Sequence, residues 1–332
     1  MSARQPLKEL HKYFTTTWNA MDNLLMINIQ KRYTGPSIGV SLFDFIVKRS
    51  IAIKSENYLE DKRPICYTGM EEVTPQRKSR MVGGFPADWN FHQMRFVAEI
   101  HIRGKQRCLA SVVTDRHLIT AAHCLYDEPD LSDILLIIGD FDISTVVEVN
   151  HEVRSIHNLV IHPEFDDKRA NNDIAVIGID PPLHLGIDIK AVVLPPQDAK
   201  LPVGTMCTVW GWQEYPWTGY RNDTKYLLHR VDIPLLPKKQ CRKFYLFVNK
   251  TKLCVGGLQG KDTCKGDSGG SLLVWINRYY VACGIVSAGK KCGKAGLPGI
   301  YADLSRYTEW VYEMTKNAAC KPSIHSNETY PH

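Results

Sequence analysis

Short runs of apolar residues, many of them β-branched, recur along the chain from Met81 onward, with Gly, Pro, Asp and Asn between them. Five such runs are Leu118–Ala121, Ile134–Ile138, Ile174–Ile179, Leu272–Trp275 and Val281–Val286. Many short strands separated by turn residues are typical of an all-β sandwich or a pair of barrels. One helix is predicted, from Leu304 to about Asn317, because apolar residues recur there at three- and four-residue spacing: Tyr307, Trp310, Val311 and Met314.

The first 80 residues differ in composition and pattern, because they contain one cysteine and their apolar positions are scattered. They end in a basic, polar stretch, Thr74 to Arg80, which indicates an exposed linker. We therefore predict three parts: an N-terminal region of unknown fold over 1–80, a β-rich domain over 81–317 and a tail over 318–332.

Composition excludes several classes of protein. The chain has 332 residues, of which 44% are hydrophobic and 23% charged, so it can build a core and is not disordered over most of its length. The net charge is +6, but from residue 81 onward 28 basic residues stand against 27 acidic ones. This balance does not support nucleic-acid binding. No apolar stretch approaches the roughly twenty residues of a membrane span.

Ten cysteines, an even number without a CxxC pair, favour disulfides over a zinc or redox site. Disulfides persist in oxidising compartments, so we expect secretion. Three Asn-x-Thr sequons, at Asn222, Asn249 and Asn327, agree with a secreted glycoprotein. A signal peptide is not convincing, because the apolar run 24–29 is too short and the run 38–47 is interrupted by Asp44.

Three segments carry residues suited to nucleophilic catalysis: Thr120-Ala-Ala-His123-Cys124, Asn171-Asn-Asp173 and Gly266-Asp-Ser268-Gly-Gly. Taken singly, the histidine could be a satisfied buried side chain, the aspartate a cap and the glycine-rich segment a tight loop. Together in one β-rich, cysteine-rich chain they form the combination of nucleophile, base and acid that a hydrolase needs.

With these segments, the chain from Met81 to about Asn317 resembles the chymotrypsin/trypsin family of serine proteases. Further motifs carry the resemblance: Met81-Val-Gly-Gly after a basic residue, Cys108, Trp210-Gly-Trp212, Gly284-Ile-Val-Ser287 and Pro298-Gly-Ile-Tyr301. The resemblance implies two six-stranded antiparallel β-barrels with an active site in the cleft between them, followed by the C-terminal helix.

The resemblance also implies the role of each catalytic residue. Ser268 is the nucleophile, and His123 takes its proton and returns it to the leaving amine. Asp173 holds the imidazole in the correct tautomer. The backbone N–H groups of Gly266 and Ser268 form the oxyanion hole.

Asp262, six residues before the serine, is implied as the acid at the base of a pocket for Arg or Lys, with Gly289 and Gly299 in its walls. The alternative is an ordinary surface aspartate. The backbone from Ser287 to Gly289 is expected to pair with substrate as an added strand. Lys265, Lys290 and Lys291 at the entrance either favour acidic flanking residues or form a solvated basic rim.

Activation is expected by cleavage between Arg80 and Met81. In this family the freed α-amino group pairs with the aspartate beside the nucleophile, here Asp267, and orders the pocket. Four residues depart from the family pattern without removing a catalytic group: Met81 for Ile or Val, Leu109 for a glycine, Ser271 for a proline and Ala288 for a tryptophan. The loss of the tryptophan leaves the extended substrate preference open.

Four cysteine pairs follow from the resemblance: Cys108–Cys124, Cys241–Cys254, Cys264–Cys292 and Cys207–Cys283. The last is irregular because Val274 stands at the usual partner position. Cys66 and Cys320 remain by elimination, and their pairing would keep the N-terminal region attached after cleavage.

We therefore predict a secreted zymogen whose active form cleaves after Arg or Lys through an acyl-enzyme. The alternative is a catalytically silent homologue that acts as a binding or cofactor module. Expected partners are polypeptide substrates, an activating trypsin-like protease and serpin or other protease inhibitors. No cofactor, nucleic acid or membrane is expected. No metal is expected either, because the acids of the loop 139–152 do not reproduce the calcium-binding pattern of trypsins.

Overall fold

The computed structural model describes residues 61–69, 94–128, 130–145, 151–212, 226–260, 262–263 and 266–331, and the backbone of 85–86. The chain divides into two units, Met1–Lys62 and Arg63–His332. The predicted domain boundary after Arg80 lies outside the described residues. Within the described ranges, no helix has the length and apolar character needed to cross a membrane.

A closed antiparallel barrel of six strands follows a two-residue strand, β1 (Phe85–Pro86). Its strands are β2 (Val97–Ile102), β3 (Lys105–Val112), β4 (His117–Thr120), β5 (Ile134–Ile138), β6 (Glu152–Ile161) and β7 (Ala175–Ile179), hydrogen-bonded in the order β2-β3-β4-β7-β6-β5. Branched and apolar side chains fill its interior, among them the fully buried Ile100, Leu118 and Ile177. Closure removes free strand edges and encloses one core.

The second barrel is formed by β8 (Met206–Gly211), β9 (His229–Leu236), β10 (Lys252–Gly256), β11 (Ser271–Ile276), β12 (Tyr279–Ala288) and β13 (Pro298–Asp303). The order is β9-β10-β13-β12-β11-β8, closed by pairing of β8 with β9, and β1 pairs with the start of β9. In β9 every second residue is buried, as expected for a strand with one face inward. The two barrels confirm the predicted fold class, and the five apolar runs fall on β4, β5, β7, β11 and β12.

The predicted C-terminal helix is shorter than the periodicity suggested. Residues Leu304–Arg306 form a 3-10 turn, and the α-helix α2 spans Thr308–Met314, after a four-residue helix α1 (Lys238–Cys241) earlier in the chain. Tyr307 and Val311 are buried as predicted. Apolar spacing of three and four does not distinguish a 3-10 turn from an α-helix. The pattern therefore predicts which face is buried but not where the α-helix begins and ends.

Within the second unit, the tail after α2 and the segment 63–69 pack together. The disulfide Cys66–Cys320 joins them, with a Cα–Cα distance of 4.9 Å. The N–H of Cys66 donates to the carbonyl of Lys321 at 2.9 Å, and the N–H of Lys321 donates to the carbonyl of Pro64 at 2.8 Å. The segment is therefore held by backbone pairing as well as by the covalent bond.

Two disulfides implied by the resemblance are also present, Cys108–Cys124 and Cys241–Cys254. Cys292 is disulfide-bonded, and its expected partner, Cys264, lies outside the described residues.

The implied pair Cys207–Cys283 is wrong for this structure, in which both residues are buried free thiols. Cys207 lies on β8 and Cys283 on β12, and β11 runs between these two strands. The Cys283 thiol donates to the carbonyl of Leu272 on β11 at 3.3 Å. The side chains lie close together, and the neighbouring Cys207 adds to the effect of burial in raising the pKa of Cys283.

Candidate active site

His123 lies in a 3-10 turn, Ala122–Cys124, that directly follows the end of β4. The disulfide from Cys124 to Cys108 on β3 anchors this turn. The imidazole Nδ1 lies 2.8 Å from Oδ2 of Asp173, and the backbone N–H of His123 donates to Oδ1 at 2.9 Å. Two bonds to one carboxylate fix both the backbone and the ring of His123, which leaves Nε2 as the proton-accepting atom.

Asp173 precedes β7 and is fully buried. Besides the two bonds from His123, it accepts a bond from the hydroxyl of Ser287. A buried carboxylate needs such donors, because an unpaired one would not remain charged. Burial lowers the pKa of His123, but the hydrogen bond and negative charge of Asp173 outweigh it and raise that pKa above its usual value.

Ser268 lies in a loop whose backbone is bonded to the first barrel. The N–H of Leu109 on β3 donates to the carbonyl of Ser268 at 2.7 Å, and the hydroxyl of Thr120 donates to the carbonyl of Leu109 at 2.7 Å. Since Thr120 ends the strand that leads to His123, this chain of bonds connects the loop of Ser268 to the strand that precedes His123. Leu109, which replaces a glycine of the family pattern, is fully buried there.

Glycine is required beside Ser268, the predicted nucleophile. Gly269 has φ +82°, and a Cβ added to it would lie 2.2 Å from Oγ1 of Thr120 and 2.3 Å from the carbonyl of Leu109. Gly266 also has a positive φ, 98°. These backbone conformations favour glycine and explain two of the three glycines of the GDSGG segment. That the N–H groups of Gly266 and Ser268 bind an oxyanion stays a prediction.

Asp267, the implied partner of a new N-terminus, is fully buried. Its carboxylate lies against Gly211 of the Trp-Gly-Trp segment, where an added Cβ would meet Oδ1 at 2.0 Å. The glycine of that segment therefore leaves room for the acid. Arg80 and Met81 lie outside the described residues, so the activation scheme stays a prediction.

Asp262 is buried and lies beside two glycines rather than on the surface. Its Oδ1 accepts from the N–H of Thr263 at 2.9 Å, and its Oδ2 accepts from the N–H of Gly293 at 3.1 Å. A Cβ on Gly299 would stand 3.8 Å from Oδ1 and 3.2 Å from the Tyr301 ring. Burial raises the pKa of Asp262 to about 6, although both backbone bonds favour the charged form. The site is a recessed acid with no side chain of opposite charge among these contacts.

The entrance differs from a simple basic rim. Lys290 donates to the carbonyl of Phe244 and lies over the ring of Tyr245, 5.3 Å from its centroid. The Tyr245 hydroxyl donates to the carbonyl of Pro298 at 2.8 Å. Burial, with a smaller contribution from the charge of Asp262, raises the pKa of Tyr245. Lys290 is thus engaged by a neighbouring loop, Lys265 lies outside the described residues, and Gly289 has open space around it.

Three contributions were not evident from the sequence. Ser287, expected to act through its backbone, also donates its hydroxyl to Asp173. Lys252 is buried, and its Nζ donates to the carbonyls of Arg169 and, at 2.7 Å, Phe247. Tyr245 packs beside the predicted pocket. The one sequence feature that could have pointed to it is the aromatic run that contains it.

Potential metal ligands come together at two places in the described part of the chain. They are Cys108 with His123 and Cys124, and Cys66 with Asp115 and Cys320. In each group the two cysteines form a disulfide, so their sulfurs are not thiolates that could bind a metal.

Comparison with known proteins identifies a family model and relatives that this chain matches. The family model described as Trypsin matches residues 81–311. Serine protease filzig from Drosophila melanogaster is 30% identical over 259 residues, which are 73% of this chain and 15% of that protein. CLIP domain-containing serine protease B15 from Anopheles gambiae is 31% identical over 223 residues, which are 62% of this chain and 60% of that protein. The match thus covers less than two thirds of the length of each of these relatives.

Proposed function

The chain belongs to the chymotrypsin/trypsin family of serine proteases, and from that premise we propose that it is a secreted, zymogen-activated endopeptidase that cleaves after Arg or Lys. The observation that carries the specificity is the buried Asp262 beside Gly299. The described disulfides support an oxidising compartment, since such bonds are rare where thiols are kept reduced.

The reaction follows from the bonds at His123. With Nδ1–H donated to Asp173, Nε2 accepts the proton of the Ser268 hydroxyl as its oxygen attacks the substrate carbonyl. The resulting imidazolium is stabilised by Asp173 and returns the proton to the leaving amine. Water then attacks the acyl-enzyme by the same route in reverse, and the N–H groups of Gly266 and Ser268 stabilise both oxyanions.

The proposed specificity rests on Asp262, whose described contacts include no positively charged side chain. A guanidinium would meet the Asp262 carboxylate in a two-pronged contact, whereas an ammonium reaches it as a point charge. We therefore expect Arg to be modestly favoured over Lys. An apolar substrate side chain would leave the buried acid without a cation, so substrates of that kind are disfavoured.

Activation is proposed to follow cleavage between Arg80 and Met81 by another trypsin-like protease, with the new α-amino group reaching Asp267. The disulfide Cys66–Cys320 and the backbone bonds beside it support retention of the N-terminal region after the cut. Polypeptides with Arg or Lys before the cleaved bond are the proposed substrates, and serpin-type or other protease inhibitors are proposed regulators.

The test is turnover of short chromogenic peptides ending in Arg, Lys, Phe or Ala, before and after cleavage at Arg80. We expect Arg and Lys peptides to be hydrolysed only after cleavage, while Arg80→Gln protein stays uncut and inactive. Full activity of uncut Arg80→Gln protein would overturn the activation scheme. A correctly cleaved protein that hydrolyses none of the four peptides would instead point to a silent homologue.

A further inference from the structure

Two of the three Asn-x-Thr sequons, Asn249 and Asn327, lie in described parts of the chain, and Asn249 is the one near the active site. It is exposed, in the loop between α1 and β10. Its Oδ1 accepts from the N–H of Thr251 at 3.0 Å and from the Thr251 hydroxyl at 2.7 Å. The two residues that define the sequon therefore contact each other at the surface, in a turn that the Asn side chain itself closes.

The other atom of the Asn249 amide faces the loop of the catalytic aspartate. Nδ2 donates to Oδ1 of Asn171 at 3.1 Å, and Asn171 is two residues before Asp173. Close by, Lys252 donates to the carbonyl of Arg169. The loops 166–172 and 244–252 are thus bonded to each other and form one wall beside the triad, with Asn249 on its outer surface.

We propose that Asn249 carries an N-linked oligosaccharide on this wall. The donor is a lipid-diphosphate-linked oligosaccharide: a bond forms between Nδ2 and the anomeric carbon of the first sugar, the bond from that carbon to the diphosphate oxygen breaks, and one Nδ2 proton is lost. One Nδ2 hydrogen remains on the modified amide for a bond to Asn171. Oδ1 takes no part in the new bond, so its bonds from Thr251 are compatible with the modification.

The position of the glycan gives it a selective effect. A bulky hydrated chain at Asn249 screens the wall next to the triad, where Leu246 is 91% exposed and Phe247 49%. Folded proteins approaching the cleft meet the glycan, whereas short peptides that fill only the cleft do not. This inference rests on the proposed secretion, and its selectivity rests on the proposed proteolysis.

Occupancy is tested without any need for activity. The full chain with Ser268→Ala is directed into the secretory pathway of cultured insect cells by a heterologous leader, and its peptide 244–250 is analysed by mass spectrometry after enzymatic deglycosylation. We expect conversion of Asn249 to Asp in this protein and in Thr251→Ser, and no conversion in Thr251→Ala. An unmodified Asn249 in the secreted protein would overturn the proposal, whatever the enzyme's activity.

Screening is tested with the activated enzyme, comparing wild type, Asn249→Gln and, as the matched control, Asn327→Gln in the C-terminal tail. For Asn249→Gln we expect association with a small folded inhibitor of trypsin-like enzymes to be faster by about threefold or more, with unchanged kcat/KM for an Arg tripeptide amide. An equal effect of Asn327→Gln, or none of Asn249→Gln, would overturn the screening role. Loss of all peptide turnover would count against the proposed function and leave the occupancy result standing.

Discussion

The two barrels contribute to the site in different ways. In the first, His123 and the buried Asp173 are joined through both backbone and side-chain bonds, and each carboxylate oxygen accepts at least one of them. In the second, Ser268 and Asp262 lie in loops where Gly260, Gly266 and Gly269 have left-handed backbones, and Asp262 is a buried acid with a raised pKa. The bonds between His123 and Asp173 are made within the fold, whereas the proposed function pairs Asp262 with a substrate cation and Asp267 with a new N-terminus.

The largest expected effect is in the second barrel, at the nucleophile. Ser268→Ala removes the attacking oxygen and should lower kcat on Arg peptides by about a million-fold, as for the nucleophile of a related triad. The side-chain volume scarcely changes, so we expect the thermal unfolding midpoint to stay near that of the wild type. Turnover near the wild-type rate would show that another residue is the nucleophile.

The matching change in the first barrel is Asp173→Asn. An amide can accept on one atom only, so if Oδ1 keeps the bond from the His123 backbone, Nδ2 faces the imidazole and forces its other tautomer. Nε2 would then carry a proton and could not accept one from Ser268, which should lower kcat by about ten-thousand-fold. Burst titration and near-ultraviolet circular dichroism would check that the site is still assembled; a loss below about tenfold would contradict the assigned role.

Asp262→Ser tests the pocket without touching the triad. A bound guanidinium would be desolvated without its partner, so kcat/KM for Arg peptide amides should fall by about a hundredfold or more. Small reactive esters that do not fill the pocket should be hydrolysed at the wild-type rate, which serves as the internal control. Unchanged cleavage of Arg peptides, or a wild-type preference for Phe, would remove the basis for the proposed specificity.

The pH dependence of kcat/KM distinguishes the contribution of His123 from that of Asp262 within one protein. His123 must be neutral to accept a proton, and its pKa is raised; Asp262 must be ionised to bind a cation, and its pKa is about 6. Below pH 6 both groups become protonated, so log kcat/KM for Arg peptides should approach a slope of two, because that parameter reports the free enzyme. Small esters should show a slope near one, as should Asp262→Ser on any substrate. Equal slopes for both substrates of the wild type would contradict this assignment.

How far the sequence alone could predict these features depended on the kind of signal. Strands such as β5 and β11 follow from apolar runs, and the catalytic segments follow from motifs whose glycines the backbone requires. Side chains that bridge distant segments left no local pattern, which is why the bonds of Ser287 and Lys252 were missed. The pair Cys207–Cys283 has a different origin, because the resemblance implied it although Val274 stands at the usual partner position. Val274 lies on β11 beside β8, whereas Cys283 lies one strand further away, on β12.

The smallest expected effect concerns the contact between the barrels at a departure from the family pattern. The hydroxyls of Ser111 on β3 and Ser271 on β11 share a buried hydrogen bond of 2.8 Å, and Ser271 stands where the family pattern has proline. Ser271→Ala leaves a buried hydroxyl on Ser111 without its partner, which should lower the free energy of unfolding by about 1–2 kcal/mol. Removing both hydroxyls should recover part of that loss, because no polar group is then left unpaired. Denaturant unfolding of the single and double variants, all in the inactive Ser268→Ala background to prevent self-digestion, measures the coupling. Strictly additive losses would show that this bond does not connect the two barrels energetically.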